Sequence, residues 1–165
     1  MPDLVAETYL CVTPELVKKM GGKALLCDID NTLATYDDPT PPDTLVKWIE
    51  EMQREGVSVA FVSNNSWERV RLFNKELGLV AYAKSAKPSY KNLKAAVRDL
   101  GIGREDAVLL GDQLLTDCAA GKRFGIPCII VPPIKDRTSA FFRFKRWLEK
   151  PYMKKYYRVN GKKEI

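Results

Sequence analysis

A short apolar run, Ala24-Leu25-Leu26-Cys27, breaks off abruptly into Asp28-Ile29-Asp30-Asn31-Thr32-Leu33. Such a run is too brief for a helix of its own and suits a buried strand of a parallel sheet, covered on both faces. A strand of that kind delivers the residues after it to the carboxyl edge of its sheet, where open α/β sheets bind ligands. Two carboxylates close together there repel by about 4 kcal/mol at ~4 Å in an effective dielectric near 20, and a divalent cation is the natural offset. Taken alone, the same residues also suit a solvated turn in which Asp30 or Thr32 caps the next helix. The rest of the chain separates the two readings.

The pattern after Leu33 alternates. Pro39, Pro41 and Pro42 make a stiff loop, and Asp43 or Thr44 can cap a helix running to Glu55 with Leu45, Trp48, Ile49 and Met52 on one face. Val57 to Val62 is a β-branched apolar run that meets Ser63-Asn64-Asn65, and Ser66 opens a helix carrying Val70, Phe73 and Leu77. Leu79 to Ala83 is a weaker strand leading to Lys87-Pro88, followed by a helix from Ser89 to Leu100. Ala107 to Leu110 meets Gly111-Asp112, a helix runs from about Thr116 to Phe124, and Ile126 to Val131 makes a last strand. Before Lys23 there is one weak helical pattern, Pro14 to Met20, read as a packing arm. Strand–helix alternation with short connections predicts a doubly wound, three-layer, Rossmann-like parallel sheet.

In that fold Asp28, Ser63, Lys87 and Asp112 each follow a different strand, so one edge of the sheet gathers all of them. Separately each has a plainer explanation: Ser63-Asn64-Asn65 a turn, Lys87 a solvated loop lysine, Gly111-Asp112 a tight strand exit. Their joint occurrence at successive strand ends favours a site. Asp30 can reach back over the same opening and Asp112 with Asp117 adds further carboxylate, and hard oxygens from one or two such groups, with positions left for water and phosphate, suit Mg²⁺. Lys87 and Ser63 offer the cation and hydroxyl that hold phosphoryl oxygens. A carboxylate can attack phosphorus once the anion–anion repulsion is cancelled.

Composition narrows the chemistry. There is no histidine, which excludes Ser-His and Cys-His dyads and imidazole-bound metals. The four cysteines lie far apart with no C-x-x-C pair, and Cys27 and Cys128 fall in predicted strands, so buried free thiols are expected rather than disulfides or a zinc site. No apolar run approaches the length of a membrane span, and Met1-Pro2-Asp3 lacks the basic region of a signal peptide, so a cytoplasmic location is expected.

The sequence Asp28-Ile-Asp-Asn-Thr-Leu resembles the D-x-D-x-T-[LV] signature of the haloacid dehalogenase superfamily. Ser63 resembles its second motif, Lys87 its third, and Gly111-Asp112 through Asp117 its acidic fourth, over roughly Leu25 to Val131. The resemblance implies that Asp28 is a nucleophile and Asp30 a general acid and base. It further implies that Asp28, the backbone carbonyl of Asp30 and Asp112 ligate Mg²⁺ with Asp117 in support, and that Ser63, Asn64 and Lys87 hold the phosphoryl group. In that superfamily an aspartate two residues after the nucleophile marks the phosphatase and phosphotransferase branch, so the resemblance implies one of those activities.

The intervals Leu33 to Val57 and Ser66 to Lys87 are too short for the cap domain of many relatives, so a capless, subclass III member with an open site is expected. Within that group the chain resembles the YqeG-type phosphatases and is similar to the mitochondrial phosphatidylglycerophosphate phosphatases, which implies a phospholipid phosphate as substrate. A soluble nucleotide, sugar or protein phosphate is the alternative.

The charge is uneven. The protein carries +6, but residues 135–165 hold eleven Lys or Arg against three Asp or Glu, leaving the remainder slightly acidic. The expected division is a phosphatase domain with an N-terminal arm over 1–134 and a basic, aromatic tail over 135–165. A helix from Thr138 to Lys150 would set Ala140, Phe141, Phe144, Trp147 and Leu148 on one face. Three uses suit this tail: packing on the domain, binding anionic lipid at the inner face of the membrane, or binding nucleic acid or the ribosome beside an idle site.

Overall fold

The computed structural model describes residues 1–135 and 140–160, with the side chains of 147–158 among the latter. Its strands are β1 (Leu4–Val5), β2 (Ala24–Cys27), β3 (Ser58–Val62), β4 (Val80–Tyr82), β5 (Ala107–Gly111) and β6 (Cys128–Ile130). Its helices are α1 (Pro14–Lys19), α2 (Asp43–Arg54), α3 (Trp67–Asn74), α4 (Lys91–Asp99), α5 (Ala119–Phe124) and α6 (Ala140–Asn160). The strands form one six-stranded parallel sheet in the order β1-β6-β5-β2-β3-β4. The α/β Rossmann-like fold read from the alternation is the observed one.

Strand β2 is central, and all four of its residues are buried. It pairs with β3 on one side (Leu26↔Ala60) and β5 on the other (Leu26↔Leu109). The chain winds outward from β2 through β3 and β4, then returns to β5 and β6. The direction of winding therefore reverses at the end of β2, where ligands bind in such sheets. Because strand side chains alternate between faces, two apolar layers form. Leu25, Cys27, Val59 and Phe61 pack with Leu45, Ile49 and Met52 of α2 and Val70 and Phe73 of α3. Leu26, Ala60 and Leu109 pack with Leu93 and Val97 of α4 and Phe124 of α5. Cys27, Cys118 and Cys128 are buried free thiols and Cys11 is half-buried.

The first residues do more than pack. Leu4 and Val5 pair with Ile129 and Ile130, making β1 an edge strand. Asp3 supports it by accepting from Lys122 Nζ at 2.7 Å and from the Cys128 amide at 2.8 Å. Two residues are too few to show an alternating pattern, so the strand has no local signature. Helix α2 also differs: its N-cap is Pro42, with no side-chain cap. Asp43 is instead the first helical residue, where its charge complements the helix dipole.

Between Asp30 and β3 lie one loop and α2, and between β3 and β4 only α3. No separate domain is inserted in either interval.

Helix α6 continues through Pro151 to Asn160, past the expected end at Lys150. A proline removes one helical hydrogen bond. Packing beyond it sustains the helix, with Tyr156 buried and Met153 set against the α4–α5 layer. The expected start at Thr138 and the side chains of Phe141 and Phe144 lie outside the described residues. Of the expected apolar face, Trp147 is exposed, whereas the carboxylate of buried Glu149 accepts from the Leu115 amide at 3.3 Å.

Candidate active site

The backbone ladder holds at the strand ends that carry the polar groups. The Asp28 amide donates to the Leu110 carbonyl and the Ser63 amide to the Tyr82 carbonyl, both at 2.9 Å. After Asp28 the chain folds tightly on the Ile29 carbonyl, which accepts from Leu33 at 2.9 Å and Ala34 at 3.2 Å. The turn requires Asn31 at φ 67°, a left-handed conformation that asparagine tolerates better than most residues. Lys84 and Ala86 also have positive φ, 47° and 51°, just before Lys87. Such backbone costs of order 1–3 kcal/mol per residue and persists where surrounding structure over-determines it.

Asp28, Asp30, Ser63, Asn64, Lys87 and Asp117 line one cleft of about 470 Å³. Asp112 stands beside it, joined to Asp28 by Thr32, whose Oγ1 lies 3.2 Å from Asp28 Oδ2 and 3.4 Å from Asp112 Oδ1. All the residues singled out from sequence therefore meet at one place.

Lys87 Nζ lies 2.6 Å from Asp28 Oδ1 and 2.6 Å from Asp117 Oδ1. The approach to Asp117 is close in distance but off the hydrogen-bonding direction. Burial pushes the Asp28 carboxyl up to about 6, against the pull of Lys87, and the neighbouring Asp117 and Asp30 push it the same way. Burial also disfavours the Lys87 charge, but Asp117 and Asp28 more than offset it and hold the ammonium well above its ordinary range.

Asp117 is set by its neighbours. Its Oδ2 accepts from the Gln113 amide at 3.1 Å, and the π-helical turn Leu114–Cys118 carries it. This turn replaces the start of the helix expected at Thr116. Gly111 leaves the room, since a Cβ there would stand 2.4 Å from the Asp117 side chain. Asn64 spends its side chain on the Lys87 backbone, accepting from the amide at 2.8 Å and donating to the carbonyl at 3.4 Å. It braces the loop that presents Lys87.

Two residues of the site were not singled out from the sequence: Asn65, named only as part of the turn after β3, and Arg69. Asn65 Nδ2 donates to Asp30 Oδ2 at 2.9 Å. Arg69 Nε and Nη2 each lie 3.1 Å from Asp30 Oδ1. A faint signal existed for Arg69, which precedes the buried Phe73 by one helical turn and so shares its face.

Asp28, Asp112 and Asp117 present oxygens within 4.8 Å of one another. Asp28, Asp30, Asp112 and Asp117 are buried, against the ammonium of Lys87 and the guanidinium of Arg69. With every group ionised the set is short of two positive charges. Hard carboxylate oxygens with that deficit fit Mg²⁺.

Lys87→Met is expected to destabilise the metal-free protein by about 3–5 kcal/mol, because two buried carboxylates lose their shared cation. Urea denaturation in EDTA measures this. A change within the error of the wild-type midpoint would show that the carboxylates are not held as anions.

A family model described as haloacid dehalogenase-like hydrolase matches residues 13–125. The chain belongs to the haloacid dehalogenase-like hydrolase family. It is 39% identical over 150 residues to the protein named Probable phosphatase YqeG from Bacillus subtilis, covering 91% of this chain and 87% of that one. Among solved structures it is similar to CbbY from Rhodobacter sphaeroides in complex with phosphate (TM-score 0.56, 18% identity, covering 73% of this chain and 90% of that one). It is also similar to a family member from Bacteroides thetaiotaomicron in complex with magnesium and inorganic phosphate (TM-score 0.55, 15% identity, 72% and 98% covered). At these identities the two structures attest to the fold.

Proposed function

We propose that this chain is a Mg²⁺-dependent phosphatase that hydrolyses phosphomonoesters through an aspartyl-phosphate on Asp28, with a membrane phospholipid phosphate such as phosphatidylglycerophosphate as substrate. The observation that carries the reaction is the pairing of Asp28 with Lys87 in a cleft that also holds Asp30. The 39% identity to a protein named Probable phosphatase YqeG supports the phosphatase part of this reading.

An Asp28 carboxylate oxygen attacks phosphorus and the ester P–O bond breaks. Asp30 gives its proton to the departing oxygen, then takes one from the water that splits the aspartyl-phosphate. Ser63, Lys87 and the backbone around Asn64 hold the phosphoryl oxygens. Asp28, the Asp30 carbonyl and Asp112 would hold Mg²⁺, with Asp117 in support. Bound there, Mg²⁺ supplies charge neutralisation at the phosphoryl group.

Three features favour a lipid phosphate. No inserted domain separates the cleft from a surface, which fits a capless subclass. Residues 135–165 are strongly basic. Helix α6 exposes Trp147 and Tyr152, the residue types that settle at membrane interfaces. Among the described residues no helix is long and apolar enough to cross a membrane. The proposed association is peripheral, at the inner face of the membrane, where anionic lipid would meet the basic tail.

The test uses p-nitrophenyl phosphate and phosphatidylglycerophosphate in anionic vesicles, each with Mg²⁺ or EDTA. Turnover of both with Mg²⁺ and neither with EDTA is expected. Activity on the soluble ester alone would favour a nucleotide, sugar or protein phosphate, and activity on neither would sink the reading.

The basic tail has its own test. Replacing Arg143, Lys145, Arg146, Lys154 and Lys155 by Gln should lower binding to anionic vesicles at least about tenfold, since each basic residue near such a surface contributes about 1 kcal/mol. Turnover of p-nitrophenyl phosphate should persist. Salt should reproduce the loss in the wild type, because exposed charges are screened beyond ~8 Å at physiological ionic strength. Undiminished binding would make the tail a packing helix. Wild-type binding to RNA but not to anionic vesicles, lost with the same replacements, would point to the nucleic-acid alternative.

A further inference from the structure

Asp30 sits in a clasp. Arg69 Nε and Nη2 reach its Oδ1, and Asn65 Nδ2 reaches its Oδ2. The same guanidinium donates from Nη2 to the Thr35 carbonyl at 3.1 Å and from Nη1 to the Asp38 carbonyl. Its carbon lies 4.8 Å from the centre of the Phe73 ring. The side chains of Arg69 and Asp30 are only 12% and 5% exposed. Arginine presents its donors in a rigid planar fork, so one side chain can fix a carboxylate and two backbone carbonyls at once.

We propose that Arg69 is a positioning residue for Asp30, locking the carboxylate and the Thr35–Asp38 loop into one unit on α3. The inference rests on the reaction proposed above. An aspartate side chain freed of these contacts rotates about two bonds, and a proton donor away from the leaving oxygen contributes little. Both Asp30 oxygens are held from α3 and the turn before it, so the carboxylate is preset by the core domain without a second domain closing over it. A lysine at this position would keep the charge but lose the fork.

The alternative role is a loop clasp with no bearing on proton transfer, and the two differ in leaving-group dependence. Arg69→Ala and Arg69→Lys are assayed on p-nitrophenyl phosphate, whose leaving group barely needs a proton, and on phenyl phosphate, whose leaving group needs one. For Arg69→Ala, single-turnover phosphoryl transfer from phenyl phosphate should fall about 10- to 100-fold, part of the range typical of general acid–base help. Transfer from p-nitrophenyl phosphate should fall much less, with little change in KM for either ester. Millimolar guanidinium should restore part of the Arg69→Ala rate and do nothing for Asp30→Asn. Arg69→Lys should lie between the alanine variant and the wild type, and decides the question if the alanine variant does not fold. Equal losses on both esters, or undiminished rates with only a lowered melting temperature, overturn the positioning role while leaving the reaction intact. A wild type inactive on both esters overturns the reaction and this inference together.

Discussion

Asp28→Asn is expected to reduce turnover by ~10⁴-fold or more, because in the proposed reaction the Asp28 carboxylate is the nucleophile. The amide is a poor nucleophile at phosphorus, and the substitution also removes one carboxylate from the cluster that would hold Mg²⁺. The fold should survive. Breaking a buried ion pair ordinarily costs about 3–5 kcal/mol, because an unpaired charge is left behind. Here the anions outnumber the cations, Lys87 keeps Asp117 at 2.6 Å, and burial already works against the Asp28 charge. The metal-free variant should therefore melt at or above the wild-type temperature, and the stabilisation on adding Mg²⁺ should shrink. Calorimetry with and without Mg²⁺, beside a steady-state assay, measures both. Retention of more than a few per cent of activity would rule out the covalent route through Asp28.

Asp30→Asn is expected to cost about 10²- to 10⁴-fold in steady-state turnover of an unactivated ester, since in the proposed reaction its carboxyl acts first as acid and then as base. With p-nitrophenyl phosphate the first step should be partly rescued while the second stays slow. A burst of p-nitrophenolate followed by near-arrest is the expected trace. The substitution also deprives the nearly buried Arg69 of its counter-ion, at a cost of about 1–3 kcal/mol. Both proteins should therefore be compared well below the variant's melting temperature. Equal losses on activated and unactivated esters in single-turnover experiments would remove Asp30 from proton transfer.

The Arg69 clasp gives these two results different sensitivities. Asp28 is held by Lys87 and Thr32 at the end of the central strand, so its placement follows from the sheet itself. Asp30 lies beyond the strand, and its orientation depends on Asn65 and Arg69 from the segment after β3. Changes in α3 should therefore reach Asp30 before they reach Asp28.

Much of the site was legible in the chain because the relevant signals are local. A short apolar run ending in charge suits a strand end, and repeated strand–helix alternation settles that reading by bringing successive strand ends to one edge. Asp28, Ser63, Lys87 and Asp112 could be placed on one edge on that basis, and the absence of histidine settled which chemistry they could not do. Local signals failed where the stabilising partner is remote. Leu4 and Val5 are a strand only because Ile129 and Ile130 lie beside them. Glu149 reads as one more solvated charge, yet the Leu115 amide draws it under the helix. Arg69 reads as surface, yet it joins Asp30 to the loop carbonyls of Thr35 and Asp38. The sequence by itself determined the parallel sheet, the edge that bears the carboxylates and the residue types gathered there, since periodicity and strand-end chemistry act over a few residues. Only the tertiary structure decided which cation serves which carboxylate, because those pairings join residues far apart in the chain and depend on distances that no local pattern encodes.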